Sequence, residues 1–309
     1  MTDIKSSILD TIGRTPLVRI HRILHKPGVE LLAKLEGHNP LGSIKERIAL
    51  SLVEGAEREG LLKPGMTLIE SSSGNTGIGL AMVGAVKGYK VVITMAKKVS
   101  VERRKLLRAL GAEVILVDGG SDDAWDMADE LHAKNPGKYF RIHQYKSPHN
   151  PRAHYEGTGP ELWEQTGGRI DAVVVTLGTC GTLMGLSRFL REKDPKIRIV
   201  AVEPTEKHEQ QGIRNLTANR VPEIFDPAFA DERLICRDED AYHWARELAL
   251  KEGIFAGISS GSAMWGALEV AKRMKWGVVV AILPDRGEKY LSTPLWGFPD
   301  DPVVNAPVN

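Results

Sequence analysis

The stretch TLIESSSGNTGIGLAMVGAVKGYKVVITM, residues 67–95, contains the unit from which the fold can be predicted. A short β-branched run, TLIE, leads into a glycine-containing loop, a helical pattern follows, and KVVITM is a second apolar run. Apolar strands that alternate with amphipathic helices are typical of a parallel sheet covered by helices on both faces. This stretch therefore predicts a strand–helix–strand unit of an α/β protein.

The same alternation continues along the chain. Further strand-like runs occupy residues 113–117, 172–177, 197–202 and 278–283, and the helical patterns between them end several times at glycine. A chain of 309 residues has the length of about two domains. We therefore predict an α/β fold of two domains, each a mostly parallel twisted sheet flanked by helices. The two prolines of YKSPHNPR, residues 145–152, indicate a crossing between the domains.

The composition argues against several classes of partner. The formal net charge is only +1, and no block of lysine and arginine suggests binding to nucleic acid or to an acidic membrane. Two cysteines, Cys180 and Cys236, are too few for a disulfide framework and too far apart for a chelating pair, which fits a reducing compartment. No apolar run approaches the roughly 20 residues that span a bilayer. We expect a cytoplasmic protein without a metal site that acts on a small molecule.

Lys45 is the candidate nucleophile. In NPLGSIKERIA, residues 39–49, Ser43 and Glu46 have the spacing of a capping box, so Lys45 falls in the first turn of a helix. The partial positive charge at a helix N-terminus disfavours an ammonium group and favours the neutral amine. A neutral amine is the form that condenses with an aldehyde. From this stretch alone, a solvated surface lysine remains the alternative.

Three loops follow predicted strands, at the sheet edge where ligands of parallel α/β proteins gather. Residues 72–76 offer hydroxyls and backbone amides to a carboxylate, and residues 178–182 form a similar cup that suits a phosphate monoester. Plain strand-to-helix turns are the alternative for both. Residues 257–261, GISSG, match the nucleophile elbow of hydrolases, but no histidine follows Ser259 as that triad requires. A reactive lysine with a phosphate cup and no nucleotide P-loop motif predicts pyridoxal phosphate as the cofactor.

At these residues the chain resembles the cysteine synthases, pyridoxal-phosphate enzymes of fold type II, whose fold is like that of the tryptophan synthase β subunit. It is most similar to their B-type branch. The likeness runs from TIGRTPLVRI, residues 11–20, to LPDRGEKYLST, residues 283–293. It implies a smaller, mobile domain of residues 41–149 and a larger, phosphate-binding domain of residues 1–40 and 150–309. It also implies a homodimer.

The resemblance implies a β-replacement reaction. O-acetyl-L-serine or O-phospho-L-serine would react with sulfide, and also with thiosulfate, to make L-cysteine through an α-aminoacrylate intermediate. A lyase that releases pyruvate (a cysteine desulfhydrase or serine dehydratase) and a cystathionine β-synthase are the alternatives within this chemistry. A cofactor-free interaction scaffold is the alternative from another class. The sequence does not separate replacement from elimination.

The resemblance also implies roles for individual residues. Lys45 would bind the aldehyde and later remove the α-proton, Asn75 would bond the ring hydroxyl and Ser259 the pyridine nitrogen. The phosphate would be bound by Gly178, Thr179, Cys180, Gly181 and Thr182. The substrate carboxylate would be held by Ser72, Ser73, Gly74, Thr76 and Gln144.

Three positions bear on specificity. Arg214 is a candidate to clamp an anionic donor or acceptor, with a solvated loop arginine as the alternative. Cys180 stands where related phosphate loops carry glycine or threonine, but its backbone N–H is retained. The sequence MAKK, residues 95–98, replaces the family's frequent Met-Pro-Glu and adds Lys97 and Lys98 near a segment that moves over the site in relatives. The acceptor preference is therefore open.

Overall fold

The computed structural model describes residues 4–297, in which ten strands form two sheets. The strands are β1 Leu17–Arg19, β2 Val29–Leu35, β3 Thr67–Ser71, β4 Lys90–Ala96, β5 Glu113–Val117, β6 Tyr139–Arg141, β7 Ala172–Thr176, β8 Arg198–Pro204, β9 Glu232–Cys236 and β10 Gly277–Leu283. The helices are α1 Lys45–Arg58, α2 Asn75–Lys87, α3 Val101–Ala109, α4 Ser121–Lys134, α5 His149–Ala153, α6 Gly159–Thr166, α7 Gly181–Lys193, α8 Asp238–Glu252 and α9 Ile258–Arg273.

The smaller sheet has four parallel strands in the order β5-β4-β3-β6. One face packs on α1, α2 and α3 through a core that includes Ile48, Leu68 and Ile93, and α4 covers the other face beside Ile69 and Val92. The unit predicted over residues 67–95 is present as β3-α2-β4. Because every strand is parallel, the carboxyl ends of all four lie at one edge.

The larger sheet has six strands in the order β1-β2-β10-β7-β8-β9, all parallel except β1, which runs antiparallel to β2. Helices α8 and α9 bury one face and α6 and α7 the other. The strand β10, near the end of the chain, lies in the interior of the sheet and pairs in register with β2 near its beginning, as at Val279 and Leu31.

The α/β fold with two mostly parallel sheets is confirmed. The runs predicted as strands became β3, β4, β5, β7, β8 and β10, while β1, β2, β6 and β9 were not predicted. The four-stranded sheet lies inside the smaller domain predicted over residues 41–149, although Leu9, from outside that range, packs against its core. Residues 1–3 and 298–309, assigned to the larger domain, lie outside the described residues. Between residues 4 and 297, none of the helices combines the length and apolar character that a membrane crossing needs.

A buried ionic network fixes α1 to the larger sheet. Arg47 Nε contacts Glu36 Oε2 at 2.6 Å, and Arg47 Nη1 contacts Glu161 Oε1 at 2.7 Å. Lys34 Nζ, in β2, contacts Glu161 Oε2 at 2.8 Å and donates to the carbonyl of Thr15 at 2.6 Å. Burial acts to raise the pKa of Glu161, but the bonds from Arg47 and Lys34 lower it to about 2. The network therefore holds in place the helix whose first residue is Lys45.

Candidate active site

A cavity of about 250 Å³ lies between the two sheets, at the carboxyl ends of β3, β4, β7 and β10. Its wall includes Lys45, Ser72 and Thr76 from one side and Gly178 and Ser259 from the other. The structure thus brings together the lysine and all three loops that the sequence places at strand ends. Within residues 4–297 no group of histidine, cysteine and acidic side chains is arranged to hold a metal ion.

Lys45 begins α1, directly after a bonded Ser43–Glu46 pair. The backbone N–H of Ser43 donates to Glu46 Oε2 at 3.0 Å, as a capping box requires, while Ser43 Oγ accepts from the Lys45 N–H at 3.2 Å. Burial lowers the pKa of Lys45, and the carboxylates of Asp285 and Glu46 oppose this effect. The predicted direction of the shift is present, but its main cause is burial. The amine therefore needs less free energy to become neutral than a surface lysine does.

Glu46 gives the site a pH dependence that can be tested. Burial raises the pKa of Glu46 from 4.5 to about 7, although Lys289 opposes the change. Because the folded state holds this proton more tightly, the contribution of Glu46 is fully present below about pH 4.5 and is lost as the pH rises through about 7. We expect Glu46→Gln to remove this loss, which amounts to up to about 3 kcal/mol.

The measurement is urea unfolding of both proteins at about pH 5 and about pH 8. The free energy of unfolding of the wild type should fall relative to that of Glu46→Gln between the two values. A difference between the proteins that stays constant with pH would contradict the assignment.

The loop after β3, for which a carboxylate-binding role is predicted, turns tightly into α2. Gly74 has φ 138°, a conformation that side-chain-bearing residues avoid, and it turns the chain into α2. Ser72 Oγ accepts from the N–H groups of Gly74 at 3.0 Å and Gly77 at 3.1 Å. Thr76 Oγ1 donates to Gln144 Oε1 at 2.7 Å. The cavity is lined by Gln144 and by the hydroxyl-bearing residues of the loop, Ser72, Ser73 and Thr76. Gly74 does not line the cavity, and its contribution is the turn.

Asn75 has one satisfied and one unsatisfied polar atom. Its Nδ2 donates to Asp285 Oδ2 at 2.7 Å, and the same oxygen accepts from Tyr290 Oη at 2.7 Å. Asn75 Oδ1 is buried without a hydrogen-bond partner. A buried polar atom left unpaired costs about 1–3 kcal/mol, so this atom indicates a ligand at the cavity wall. Sequence analysis missed Asp285, although it follows β10 closely and the rule for strand ends applies to it.

The loop between β7 and α7 forms the second polar wall. Thr179 Oγ1 accepts from Asn150 Nδ2 at 2.9 Å, and Thr182 Oγ1 lies 3.3 Å from His154 Nε2. Burial lowers the pKa of His154 well below its ordinary value, so the ring is neutral. A Cβ at Gly178 would lie 2.8 Å from the Gly212 carbonyl oxygen, which explains why glycine stands there. Backbone amides at the start of a helix, with two oriented hydroxyls, suit a phosphate group.

Ser259 and its neighbour Ser260 face different ways. Ser259, in the first turn of α9, lines the cavity, whereas Ser260 Oγ donates to the Asp285 carbonyl oxygen at 3.2 Å. The proximity of Ser259 to the pyridine nitrogen of a bound cofactor stays a prediction.

Comparison with known proteins identifies the family. A family model described as a pyridoxal-phosphate dependent enzyme matches residues 8–285. Cysteine synthase B of Escherichia coli (strain K12) is 48% identical over 294 residues, which cover 94% of this chain and 96% of that protein. The chain belongs to the cysteine synthase family.

Among solved structures, a lysine-to-alanine variant of O-ureido-L-serine synthase with bound O-ureido-L-serine has a TM-score of 0.90 and 42% identity, covering 96% of this chain and 97% of that one. A hydrogen sulfide-producing enzyme from Fusobacterium nucleatum has a TM-score of 0.89 and 42% identity, covering 93% and 100%.

The cysteine synthase family depends on pyridoxal 5'-phosphate, and the cavity fits this cofactor. The loop of residues 178–182 would hold the phosphate, Lys45 lines the same cavity, and Asn75, which also lines it, has an unpaired side-chain oxygen. Gly181 and Cys180 lie behind the lining. A Cβ at Gly181 would meet Asn150 Oδ1 at 1.7 Å, so this loop and α5 approach too closely for any side chain.

Arg214, the predicted anion clamp of this family member, is buried and already paired. It lines the cavity, but its Nη1 donates to Asp122 Oδ1 at 3.0 Å and to the Arg220 carbonyl at 3.0 Å. Its guanidinium also lies 5.1 Å from the centre of the Tyr145 ring. A substrate anion at Arg214 would therefore compete with Asp122. Its role in substrate binding stays a prediction.

Arg214 is one end of a stack that joins the two sheets. Tyr145 stacks on Trp125 of α4 at 4.4 Å, and Arg220 lies over Trp125 at 4.9 Å. Arg220 Nη2 also contacts Asp126 Oδ1 at 3.0 Å. Arg214 and Arg220, which follow β8 of the larger sheet, thus each lie against one of the two stacked rings, Tyr145 and Trp125, beside the smaller sheet. This arrangement was not predicted, because its members are remote in sequence and form no motif.

Cys180 is held in an unusual conformation and is chemically protected. Its φ is 67°, which is rare for a residue with a side chain, and its thiol packs in the core between the larger sheet and α7. Burial raises the pKa of Cys180 to about 12, and burial likewise raises the pKa of Cys236 to about 12. Neither thiol is therefore a nucleophile near neutral pH.

We expect a thiol-specific reagent to leave the folded protein unlabelled and to label both cysteines after denaturation. Mass spectrometry before and after unfolding would measure this. Fast labelling of Cys180 in the native protein would contradict the burial of the phosphate loop.

Proposed function

We propose that the protein makes L-cysteine by β-replacement, from O-acetyl-L-serine or O-phospho-L-serine and sulfide, with thiosulfate as a second acceptor. The observation that carries the proposal is a single cavity shared by Lys45, whose pKa is lowered, the carboxylate loop after β3 and the phosphate loop after β7. These are the groups that a phosphorylated aldehyde cofactor and an amino-acid substrate require together.

The residues of the chain divide the work of this reaction. When bound, the cofactor supplies an aldehyde for the covalent link and a conjugated ring that withdraws electrons from the α-carbon. The carboxylate loop and Gln144 hold the substrate carboxylate, which directs the α-hydrogen toward Lys45. The neutral amine of Lys45 then accepts the α-proton. Ser259 would offer an uncharged hydroxyl to the pyridine nitrogen, which would leave that nitrogen unprotonated. The ring would then withdraw electrons less strongly, which would favour loss of the β-substituent.

A β-elimination lyase is the second candidate. The relative from Fusobacterium nucleatum that produces hydrogen sulfide favours it, since elimination from cysteine would share the first half of the reaction. The two outcomes differ in whether a sulfur nucleophile or water meets the fragment that remains when the leaving group departs.

The test is a steady-state comparison of acetylserine and phosphoserine, each with sulfide and with thiosulfate, and with no acceptor. Cysteine formation with sulfide at a rate well above pyruvate release without it supports β-replacement. Pyruvate release that is unchanged by sulfide would establish the lyase instead.

We further propose that residues 41–149 form a smaller, mobile domain and residues 1–40 and 150–309 a larger one. The position of the four-stranded sheet within residues 67–141 supports this division. Substrate should slow hydrogen exchange in α4 and in the carboxylate loop, at the cleft; exchange unaffected by substrate would count against domain closure.

The protein is also proposed to be a cytoplasmic homodimer. Two free, buried cysteines fit a reducing compartment, and the family resemblance implies the dimer. Light scattering should give twice the chain mass of 33.9 kDa. Cell fractionation would check the location, and recovery in the membrane fraction would contradict it.

A further inference from the structure

The rim of the cavity contains an unpaired cation, Lys98. Five residues that line the cavity are also exposed, and they mark its mouth: Ser73, Lys98, Ser121, Glu209 and Gly212. Within the part of the chain that the structure describes, Lys98 is the one positively charged residue of this rim, and its ammonium makes no hydrogen bond or ion pair there. Every anion that enters from solvent therefore passes a positive charge that no ion pair holds.

The other cations of the cavity wall are not available to an incoming anion. Arg214 is buried and paired with Asp122 at 3.0 Å. Lys45 is committed to the cofactor in the proposed function. Lys98 is thus the cation that can act on a second substrate.

The loop that carries Lys98 is held in a defined position. The N–H of Lys97 donates to the Val117 carbonyl at 3.0 Å, and Ser100 Oγ donates to the Lys289 carbonyl at 2.8 Å, across the cleft. Lys97 is exposed, does not line the cavity and is paired with Asp118. Two adjacent lysines therefore have the same charge but different surroundings, which provides a matched control.

His208 adds a neutral donor to the lining, from the loop after β8. Its Nδ1 accepts from the Gln210 N–H at 3.1 Å, so the proton of the neutral ring is on Nε2. Burial lowers the pKa of His208; the carboxylate of Asp238 opposes this change and the ammonium of Lys98 reinforces it. Glu209, next in the chain, is the opposing charge of the rim.

We propose that Lys98 determines acceptor specificity by drawing the sulfur nucleophile to the cavity as an anion, with the Nε2–H of His208 as a second donor. This inference rests on the proposed β-replacement. Because Coulomb attraction scales with charge, Lys98 favours a dianion such as thiosulfate over the singly charged hydrosulfide ion. Glu209 acts in the opposite direction.

The test compares Lys98→Gln with Lys97→Gln, which makes the same change of net charge outside the cavity. We expect Lys98→Gln to raise the Michaelis constant for thiosulfate about fivefold and that for sulfide about twofold, as expected for one solvated charge at the mouth. The effect should fall on the Michaelis constant rather than on the maximal rate, and it should shrink at high salt. Lys97→Gln should leave both constants unchanged, and Glu209→Gln should lower the constant for thiosulfate.

A binding measurement provides a readout that needs no turnover. Calorimetric titration of thiosulfate into the cofactor-loaded protein, without donor, should show affinity weakened by a similar factor in Lys98→Gln and unchanged in Lys97→Gln. Equal effects of the two lysine substitutions, or no effect of Lys98→Gln in either assay, would overturn the proposal. Cysteine formation from sulfide at saturating concentration would still be seen in that case, so the proposed β-replacement would stand.

Discussion

Lys45→Ala is expected to reduce cysteine formation by at least about a thousandfold, as does the loss of other covalent catalytic groups. The variant lacks both the amine that bonds the aldehyde and the base that accepts the α-proton. The absorbance band of the covalently bound cofactor should disappear with the activity.

Lys45→Arg separates chemistry from charge. Arginine retains the positive charge at the start of α1 but does not condense with an aldehyde under these conditions, so this variant should be equally inactive. Lys97→Ala, on an exposed and paired lysine, should keep its activity. The measurements are steady-state rates and absorbance spectra of the three variants. Full activity in Lys45→Ala would show that another residue forms the covalent link.

The second large effect concerns stability: Arg47→Met is expected to lower the free energy of unfolding by about 3–5 kcal/mol, the usual cost of removing one partner from a buried ion pair. Arg47 bonds Glu36, whose side chain is fully buried, and Glu161. Without the guanidinium, the carboxylate of Glu36 would keep only the neutral donors Thr15 and Asn39. Urea unfolding measures the change.

The matched control is Arg152→Met, which makes the same substitution in a helix. Arg152 pairs with Glu156 four residues later, with both side chains exposed, so the loss should be below about 0.5 kcal/mol. The double variant Arg47→Met with Glu36→Gln should recover part of the lost stability, because the unpaired charge is then gone. If Arg47→Met and Arg152→Met lowered the free energy of unfolding equally, the buried ionic network would contribute no more to stability than an exposed ion pair.

The strands that the sequence predicts share a feature that β2 lacks. KVVITM and VVVAIL are continuous apolar runs, and both became strands with buried centres. The segment VELLAKL contains Glu30 and Lys34, which break the apolar pattern. Lys34 is nevertheless fully buried, because Glu161 lies within 2.8 Å although it is remote in the sequence. A local pattern cannot reveal a partner at that separation.

The same limit applies to the site. The loops after β3 and β7 could be predicted because glycine and small polar residues after a strand form a recognisable pattern, and both lie at strand ends. The segment GISSG, residues 257–261, instead follows α8 and begins α9. Asp285, Asn150 and His154 were missed because they act through another residue: Asn75, Thr179 and Thr182 respectively. Arg214 was predicted as a candidate anion clamp, and nothing in the sequence pointed to its partner Asp122, which lies on α4, far away in sequence. Motifs thus predicted many of the groups that line the cavity, and only the fold revealed the groups that orient them.

The interior position of β10 in the larger sheet affects how the chain folds while it is synthesised on the ribosome. All strands of the smaller sheet have been synthesised once the chain reaches residue 141, whereas β10, the neighbour of β2, is complete only at residue 283. At a synthesis rate of about 5–20 residues per second, β2 therefore lacks its neighbour β10 for a time of the order of ten seconds or more. Nascent chains shortened before residue 277 should therefore engage chaperones through their first 40 residues.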